Sequence, residues 1–278
     1  MRPDTLGVIG LGAIGGSVAW QAAQAGVRVL GYSANAKEGV QAARAGAVHE
    51  VATNPRAVFQ TSELVVLAAP PLVNLELLAH WGSVMLERGA LLTDVTSVKQ
   101  PFVALAAKRG LGKVFAGSHP LAGTHEQGFA AARPDRFRQA IVYVTGLPDG
   151  EDAAREIADF WTTVFESHVV RLDATTHDTR LALTSHLPQA VASALAVTLA
   201  RQAGAAAVGP GARDTTRLAA GSVEMWRDLL VLNREAVLAA IEHFERDLGD
   251  LRRVLQDGDA PALSEWLGVG ARWREELD

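Results

Sequence analysis

Two polar clusters in the first half of the chain carry residue types that can move a proton. Residues 93–99 include Ser97, and residues 117–124 include His119. Histidine titrates near neutral pH, so a neutral imidazole can accept a hydroxyl proton, and a serine hydroxyl can orient both groups. The alternative interpretation is an ordinary helix cap for Ser97 and a structural, hydrogen-bonded role for His119. We favour chemistry for His119 and leave Ser97 open.

A third cluster lies on a helical segment in the second half of the chain. At 100° per residue, Asp178, Ser185 and Gln189 fall within about 20° of one line on an α-helix. His177 and His186 are nine residues apart and therefore face opposite ways, which makes them a poor metal pair. We expect no metal site. The alternative for this polar face is buried packing against the first domain or against a dimer partner.

Two arginines follow a Gly/Pro-rich segment further along the chain. Arg213 and Arg217 come directly after residues 209–211. Guanidinium groups suit bidentate capture of carboxylates. Surface salt bridges with Asp214 and Asp228 are the alternative, and the sequence leaves both open.

The glycine spacing near the N-terminus predicts a nucleotide site. Gly10, Gly12 and Gly15, with Ile14 between the last two, form a G-x-G-x-x-G pattern after an apolar run. The first glycine permits a tight turn, the second lets backbone approach a pyrophosphate, and the third lets the helix pack on the strand. The helix N-terminus then offers free N–H donors to phosphates. A tight turn without a ligand is the alternative, but the position at the start of a β-α-β unit favours a nucleotide.

The residues after the second predicted strand bear on which dinucleotide binds. No acidic residue occurs from Thr5 to Lys37, where an NAD-preferring site usually has a carboxylate about 20 residues after the motif. Ser33 and Asn35 can hydrogen-bond a 2′-phosphate, and Lys37 can add charge. The sequence therefore predicts that NADP is preferred or that NADP and NAD are both used.

In the first half of the chain, predicted strands and helices alternate, and these elements must position the polar residues. Helical Ala-rich segments separate short apolar runs, at 6–9, 27–32, 64–68, 90–95, 113–117 and 141–145. This rhythm predicts β-α-β units and a largely parallel sheet whose strands are buried on both faces. Both polar clusters then follow strands, at the carboxyl edge where ligands bind.

The second half is predicted to be all helical. Helical periodicity covers 174–203, 222–256 and 260–277, and Pro188 predicts a kink. After a last short strand at 168–172 we place a domain boundary near Leu172. The predicted fold is α/β, with a Rossmann-type dinucleotide-binding domain at 1–172 and a helical domain at 173–278.

Composition excludes several classes of protein. The 278 residues are 49% hydrophobic with no cysteine and a formal net charge of −5. A mainly disordered chain, a thiolate metal site and a general nucleic-acid binder are thereby disfavoured. The most apolar stretch, 187–200, is too short and too polar for a membrane span. We expect a cytoplasmic protein with neither a nucleic-acid nor a membrane partner.

Taken together, these motifs resemble the prephenate/arogenate dehydrogenase family of tyrosine biosynthesis. The likeness covers nearly the whole chain in order, at 10–15, 94–99, 117–124, 177–178, 185–188 and 211–217. The resemblance implies a helical dimerisation domain and a homodimer. It also implies oxidative decarboxylation of prephenate or arogenate, or of both, with NADP+ or NAD+ taking a hydride from the ring carbon that bears the hydroxyl.

The resemblance also assigns roles to residues. His119 would be the proton acceptor, and Ser97 would orient the substrate hydroxyl. Arg217 would bind the substrate carboxylate, with Arg213 as a second candidate. The substrate pocket would be lined by Ser185, His186 and Thr124.

Two positions depart from the family pattern. His125 stands where many relatives have Glu, and Gln189 where prephenate-using relatives often have His. Both should lie near the substrate side chain, so the choice between prephenate and arogenate stays open, with slight weight toward arogenate.

Two other functions are alternatives. A β-hydroxyacid dehydrogenase would need a helical-domain lysine, but the lysines here are Lys37, Lys99, Lys108 and Lys113. A non-catalytic NAD(P)-binding sensor would need no convergence of His119, Ser97 and Arg217.

Overall fold

The computed structural model of the protein describes residues 1–123, 126–202 and 208–277. Thr124, expected in the substrate pocket, and His125 lie outside the described residues.

A parallel five-stranded sheet forms the centre of the N-terminal half. Its strands are β1 (Thr5–Ile9), β2 (Arg28–Tyr32), β3 (Glu50–Val51), β4 (Leu64–Leu67) and β5 (Leu91–Asp94). The spatial order is β3-β2-β1-β4-β5, and every neighbouring pair is parallel. Strand β4, in the interior of the sheet, is fully buried, as its unbroken apolar run predicts. The two-residue strand β3 was not predicted, because its exposed residues carry no apolar run.

Four helices form the crossovers between these strands: α1 (Ala13–Gln24), α2 (Ala36–Arg44), α3 (Pro55–Thr61) and α4 (Pro71–Arg88). A fifth helix, α5 (Gln100–Lys108), follows β5. Local signals start them: Asn35 and Asn54 accept backbone N–H bonds as N-caps of α2 and α3. Gly89, with φ +61°, ends α4 in the left-handed conformation.

A second, three-stranded sheet follows. Strand β6 (Gly117–Pro120) runs antiparallel to β7 (Ile141–Thr145), which is parallel to β8 (His168–Arg171). Helix α6 (Glu151–Phe165) connects β7 to β8.

The predicted strand at 113–117 is wrong. Val114 lies in a turn and Ala116 in irregular backbone; both are buried, and only an isolated bridge joins Phe115 to Leu92. The strand begins at Gly117, so His119 lies on a strand rather than in a loop after one.

From Ala174 onward every described element is helical. The elements are α7 (Ala174–Leu181), a π-helical turn (Ala182–His186), α8 (Leu187–Gln202), α9 (Pro210–Thr216), a 3-10 turn (Arg217–Ala220), α10 (Val223–Leu232), α11 (Arg234–Asp257) and α12 (Ala260–Glu275). The Rossmann-type sheet and this helical half confirm the predicted fold class.

The π turn stands where a kink was expected. Pro188 lies in the first turn of α8, directly after the π turn, and a proline cannot donate the hydrogen bond that a continuous α-helix would need there. The break therefore takes the form of a wider turn that ends one helix and begins the next.

The two compact units of the chain meet at residues 233 and 234, not at the domain boundary that the sequence predicts near Leu172. Residues 1–233 form one compact unit, and residues 234–278 form a second in which α11 and α12 pack together. The boundary near Leu172 stays a prediction. No helix in the described ranges is long and apolar enough to cross a membrane.

Candidate active site

A chain of buried hydrogen bonds links the second sheet to the helical half. His119 on β6 places its Nδ1 2.9 Å from Nε2 of His177 on α7. His177 in turn places its Nδ1 2.7 Å from Oδ1 of Asp178. His177 and Asp178 are fully buried, while His119 keeps 7% of its surface exposed.

These contacts determine which nitrogen of each ring carries the proton. A carboxylate only accepts, so Nδ1–H of His177 donates to Asp178, and its Nε2 is an acceptor. Nδ1–H of His119 must then donate to that Nε2. The Nε2 of His119 is left as a lone pair, and it has no hydrogen-bond partner in the described part of the chain.

Burial holds His119 in its neutral form. The pKa of His119 is well below its ordinary value, first because burial penalises the imidazolium, and further because His177, Lys99 and His186 lie nearby. The pKa of His177 is lowered for the same first reason, although Asp178 partly opposes that shift. An unprotonated imidazole with a free Nε2 is able to accept a proton from a bound hydroxyl.

Asp178 also anchors the start of helix α5. Its carboxylate accepts the backbone N–H of Lys99 at 2.7 Å and of Gln100 at 2.8 Å. These two N–H groups belong to the first turn of a helix whose own N-cap side chain makes no capping bond. The same carboxylate therefore orients His177 and fixes the loop that carries Ser97.

His186 is a second buried neutral histidine. Asn233 donates its Nδ2–H groups to the Asp178 carbonyl at 2.9 Å and to His186 Nδ1 at 3.0 Å. With Nδ1 accepting, Nε2 of His186 carries the hydrogen, and this buried donor has no partner among the described residues. Burial lowers the pKa of His186 to about 4.

The helical-wheel expectation for this face is wrong at two residues. His186 is fully buried on the side of His177 and Asp178, whereas Ser185 is half-buried and makes no hydrogen bond within the described ranges. The π turn advances by less than 100° per residue, so His186 rotates toward the His177 face instead of lying opposite it.

Lys99 and Asp94 form a fully buried ion pair beneath β6. Lys99 Nζ contacts the Asp94 carboxylate and donates to the Ser118 carbonyl at 2.8 Å. Thr96 donates its backbone N–H to the same carboxylate at 2.9 Å. Burial lowers the pKa of Lys99, while Asp94 and Asp178 oppose that shift. This pair holds the loop 95–98 against the strand that carries His119.

Ser97 lies in that loop with its hydroxyl uncommitted. The residue is half-buried, and no side-chain hydrogen bond of Ser97 is formed within residues 1–123, 126–202 and 208–277. The helix-cap alternative therefore has no support, since Asp178 supplies the cap of α5.

The two arginines are not brought to His119 by the described contacts. Arg213 and Arg217 are both exposed, on α9 and the 3-10 turn that pack against α8. Arg213 donates Nε–H to the Val208 carbonyl at 3.4 Å, and neither arginine forms an ion pair with a described residue. Asp228 pairs with its neighbour Arg227 instead.

The glycine turn fits a dinucleotide. Gly10 has φ +95°, and a Cβ there would lie 2.5 Å from the backbone of Ala68. A Cβ on Gly15 would collide with the Gly10 carbonyl, so close strand–helix packing requires this glycine. Gly12 and Ile14 are half-buried, and the first turn of α1 has no acidic residue and no capping side chain. Its free N–H groups suit a pyrophosphate.

The carboxylate of Glu38 on α2 lies beside the end of β2, and the sequence did not predict it there. Ser33 donates its hydroxyl to Oε2 of Glu38 at 2.6 Å, and Lys37 is exposed on α2. The stretch without acidic residues ends at Lys37, and Glu38 is the next residue. A helix beginning at Ala36 turns Glu38 back over the strand end.

The contacts between His119, His177 and Asp178, and the part played by Asn233, could not be predicted from the sequence. His177 and Asp178 were recognised as a polar pair, but nothing in the sequence showed that they face His119 from another element. Asn233, which orients both Asp178 and His186, has no local signal beyond its position between two helices.

A Rossmann-type nucleotide turn with a buried neutral histidine defines this chain as an NAD(P)-dependent dehydrogenase. Residues 18–170 match the family model described as prephenate dehydrogenase, nucleotide-binding domain. Residues 173–269 match the one described as prephenate dehydrogenase, dimerization domain. The chain belongs to the prephenate dehydrogenase family.

Individual relatives agree with that membership. Prephenate dehydrogenase of Bacillus subtilis is 31% identical over 290 residues, covering 99% of this chain and 76% of that protein. Cyclohexadienyl dehydrogenase of Zymomonas mobilis is 30% identical over 91% of this chain and 90% of its own length. The structure of A. aeolicus prephenate dehydrogenase with hydroxyphenyl propionate and NAD+ is similar at a TM-score of 0.89 and 28% identity, covering 99% of this chain and 98% of that one. Synechocystis arogenate dehydrogenase is similar at 0.82 and 25%, covering 99% and 100%.

Proposed function

We propose that this protein catalyses oxidative decarboxylation of prephenate, arogenate or both, giving 4-hydroxyphenylpyruvate or tyrosine. Family membership supports the reaction class. The observation that carries the proposal is the tautomer of His119, whose Nδ1 is engaged by His177 and whose Nε2 is free. That arrangement suits acceptance of the proton of a ring hydroxyl.

NAD(P)+ would be held by its pyrophosphate at the glycine turn, and its nicotinamide would supply the hydride acceptor. Hydride loss builds positive charge on the ring carbon that bears the hydroxyl. His119 takes the hydroxyl proton at Nε2, so the charge resolves into a carbonyl. The ring carboxylate then leaves as CO2, because aromatisation makes that loss favourable. The electron pair of the broken C–C bond passes through the ring to the carbonyl oxygen, which takes the proton back from His119 and becomes the phenol hydroxyl.

The buried hydrogen-bond chain stabilises the imidazolium that His119 becomes. Its Nδ1–H already donates to His177, whose own Nδ1–H is polarised by the Asp178 carboxylate. The charged partner at the end of this chain lowers the cost of a positive charge in a buried place. His177 and Asp178 are thus positioning residues, while His119 is the catalytic one.

Anchoring of the anionic substrate is proposed for four side chains. Arg217, with Arg213 as second candidate, offers a free guanidinium for the carboxylate. The unpartnered Nε2–H of His186 is a donor that needs an acceptor, and a substrate oxygen can supply it. Ser97, with its uncommitted hydroxyl, orients the substrate hydroxyl toward His119.

We propose that Gln189 influences the choice between prephenate and arogenate. Its side chain is buried and donates Nε2–H to Ser193 Oγ at 3.3 Å, so it presents a neutral amide where a histidine is expected in prephenate-using relatives. We keep arogenate as the slightly favoured substrate.

We further propose a homodimer assembled through the helical half, with the domain boundary near Leu172. The match of residues 173–269 to a dimerization-domain model supports both statements.

The deciding experiment follows the absorbance of the reduced nicotinamide with prephenate and with arogenate, each with NAD+ and NADP+. We expect turnover with at least one acid, release of CO2 in equal amount, and formation of the aromatic product. Binding of the dinucleotide with no turnover of either acid would overturn the proposal and favour a nucleotide sensor.

A further inference from the structure

A carboxylate covers the glycine turn from the neighbouring helix. Glu38 lies in the first turn of α2 and is half-buried. Its Oε2 accepts the Ser33 hydroxyl at 2.6 Å, and the same hydroxyl oxygen accepts the backbone N–H of Asn35 at 3.2 Å. Ser33 is therefore committed to holding the carboxylate and the start of α2.

The other carboxylate oxygen points toward the cofactor turn. A Cβ built on Gly12 would lie 4.0 Å from Glu38 Oε1, and one built on Gly128 would lie 3.7 Å from it. Gly12 is the position where backbone approaches the pyrophosphate, and the adenosine ribose is bonded directly to that pyrophosphate. A carboxylate at this distance is within reach of the ribose hydroxyls.

We propose that Glu38, held by Ser33, accepts hydrogen bonds from the adenosine ribose hydroxyls and selects NAD+ over NADP+. A carboxylate accepts two hydroxyl donors well, but it repels the 2′-phosphate that replaces one of them. This reverses the preference expected from the sequence, which counted Ser33 as a phosphate ligand.

Lys37, expected from the sequence to add positive charge at a 2′-phosphate, lies on the outer face of α2. Lys37 lines a shallow surface depression with Val40, Gln41 and Arg44, which share its outer face of α2. In the described part of the chain no lysine or arginine forms an ion pair with Glu38. Among the described residues, the negative charge of Glu38 beside the proposed ribose site is therefore not neutralised by an ion pair.

The inference rests on the NAD(P)+-dependent reaction proposed above, but its test is a binding measurement that needs no turnover. Calorimetric titration of the full chain with NAD+ and with NADP+ gives the ratio of the two Kd values. We expect NADP+ to bind at least about tenfold more weakly, because a like charge is brought close to Glu38. In Glu38→Gln that ratio should fall to about threefold or less, with NADP+ binding tightened.

Two further variants separate the alternatives. Glu87→Gln makes the same change at an exposed site at the far end of α4 and should leave the ratio unchanged. Ser33→Ala releases the carboxylate, so it should weaken NAD+ binding and leave NADP+ binding equal or tighter. Thermal melts of each variant report whether the fold is intact.

Three results would overturn the inference. They are a wild-type ratio near one or in favour of NADP+, an unchanged ratio in Glu38→Gln, and a Ser33→Ala variant that loses only NADP+ affinity. Because none of these depends on prephenate or arogenate, a failed turnover assay and a failed selectivity test remain distinguishable.

Discussion

Nδ1 of His119 and Nε2 of His177 lie 2.9 Å apart, and this contact joins strand β6 to helix α7. Because Asp178 fixes the proton of His177 on the far nitrogen, the contact also fixes the proton of His119 on its inner nitrogen. His177 and Asp178 of α7 therefore determine that the free lone pair of His119 on β6 is at Nε2.

The first prediction tests that dependence. In His177→Ala, His119 loses the partner that selects its tautomer, so kcat should fall about 100-fold with KM little changed. Steady-state kinetics across pH provide the measurement, since the pH profile of kcat should move as well. His168→Ala, at an exposed position of β8, is the matched control. A pure rise in KM would contradict the positioning role.

The second prediction concerns the proton acceptor and the serine beside it. His119→Ala should remove most of kcat, on the order of 100- to 10,000-fold, because no other described base has a free nitrogen on that strand. Ser97→Ala should cost about tenfold in kcat through poorer orientation of the substrate hydroxyl. Unchanged turnover in His119→Ala would refute its role, and Ser83→Ala, at an exposed position of α4, serves as control.

The third prediction places Arg217 in substrate binding. Arg217→Ala should raise KM roughly 10- to 100-fold while kcat stays close to wild type, since a carboxylate loses its charged partner in ground and transition states alike. Arg213→Ala should show a smaller change of the same kind. Arg109→Ala, exposed at the end of α5, controls for loss of a positive charge. An unchanged KM in both variants would exclude the arginine segment from the site.

The fourth prediction is a loss of stability in acid through His186. Its pKa is about 4 in the folded protein, below the ordinary value of 6.5. The unfolded chain therefore binds more protons between these values, so stability is complete above pH 6.5 and falls as the pH drops. This one group should account for roughly 2–3 kcal/mol at pH 4.5.

Denaturant titrations from pH 7 to 4.5 on wild type and His186→Gln measure that share. The variant should lose less stability over this range than the wild type does. Equal slopes in the two proteins would mean that His186 is not buried as a neutral ring.

The fifth prediction concerns the buried ion pair. Lys99→Met leaves the Asp94 carboxylate buried without its cation, so unfolding free energy should drop by about 3–5 kcal/mol. The double variant Lys99→Met/Asp94→Leu should recover part of that loss, because neither charge remains. Lys108→Met, exposed on the same helix, should change stability little. If the double variant recovers no unfolding free energy, the shape of the two side chains rather than their charge holds the loop 95–98.

Much of the fold was predictable because it depends on neighbours in sequence. Buried parallel strands show as apolar runs, and Asn35 and Asn54 start their helices through bonds to residues two and three positions away. The turn around Gly10 follows from its positive φ, which a glycine adopts without strain. His119 was a candidate because it lies in a polar cluster directly after an apolar run.

What the tertiary structure alone decided was how distant groups meet. The strand carrying His119 begins at Gly117 because it pairs with β7, and no local pattern of residues 113–117 could show that. The π turn before Pro188 rotates His186 toward His177, a change that a fixed period of 100° cannot anticipate. Hydrogen bonds between elements distant in sequence select the tautomer of His119 and make Asp178 the cap of α5. The sequence thus determined the elements and the candidate chemistry by local sterics and periodicity, whereas long-range packing determined which side chains share protons.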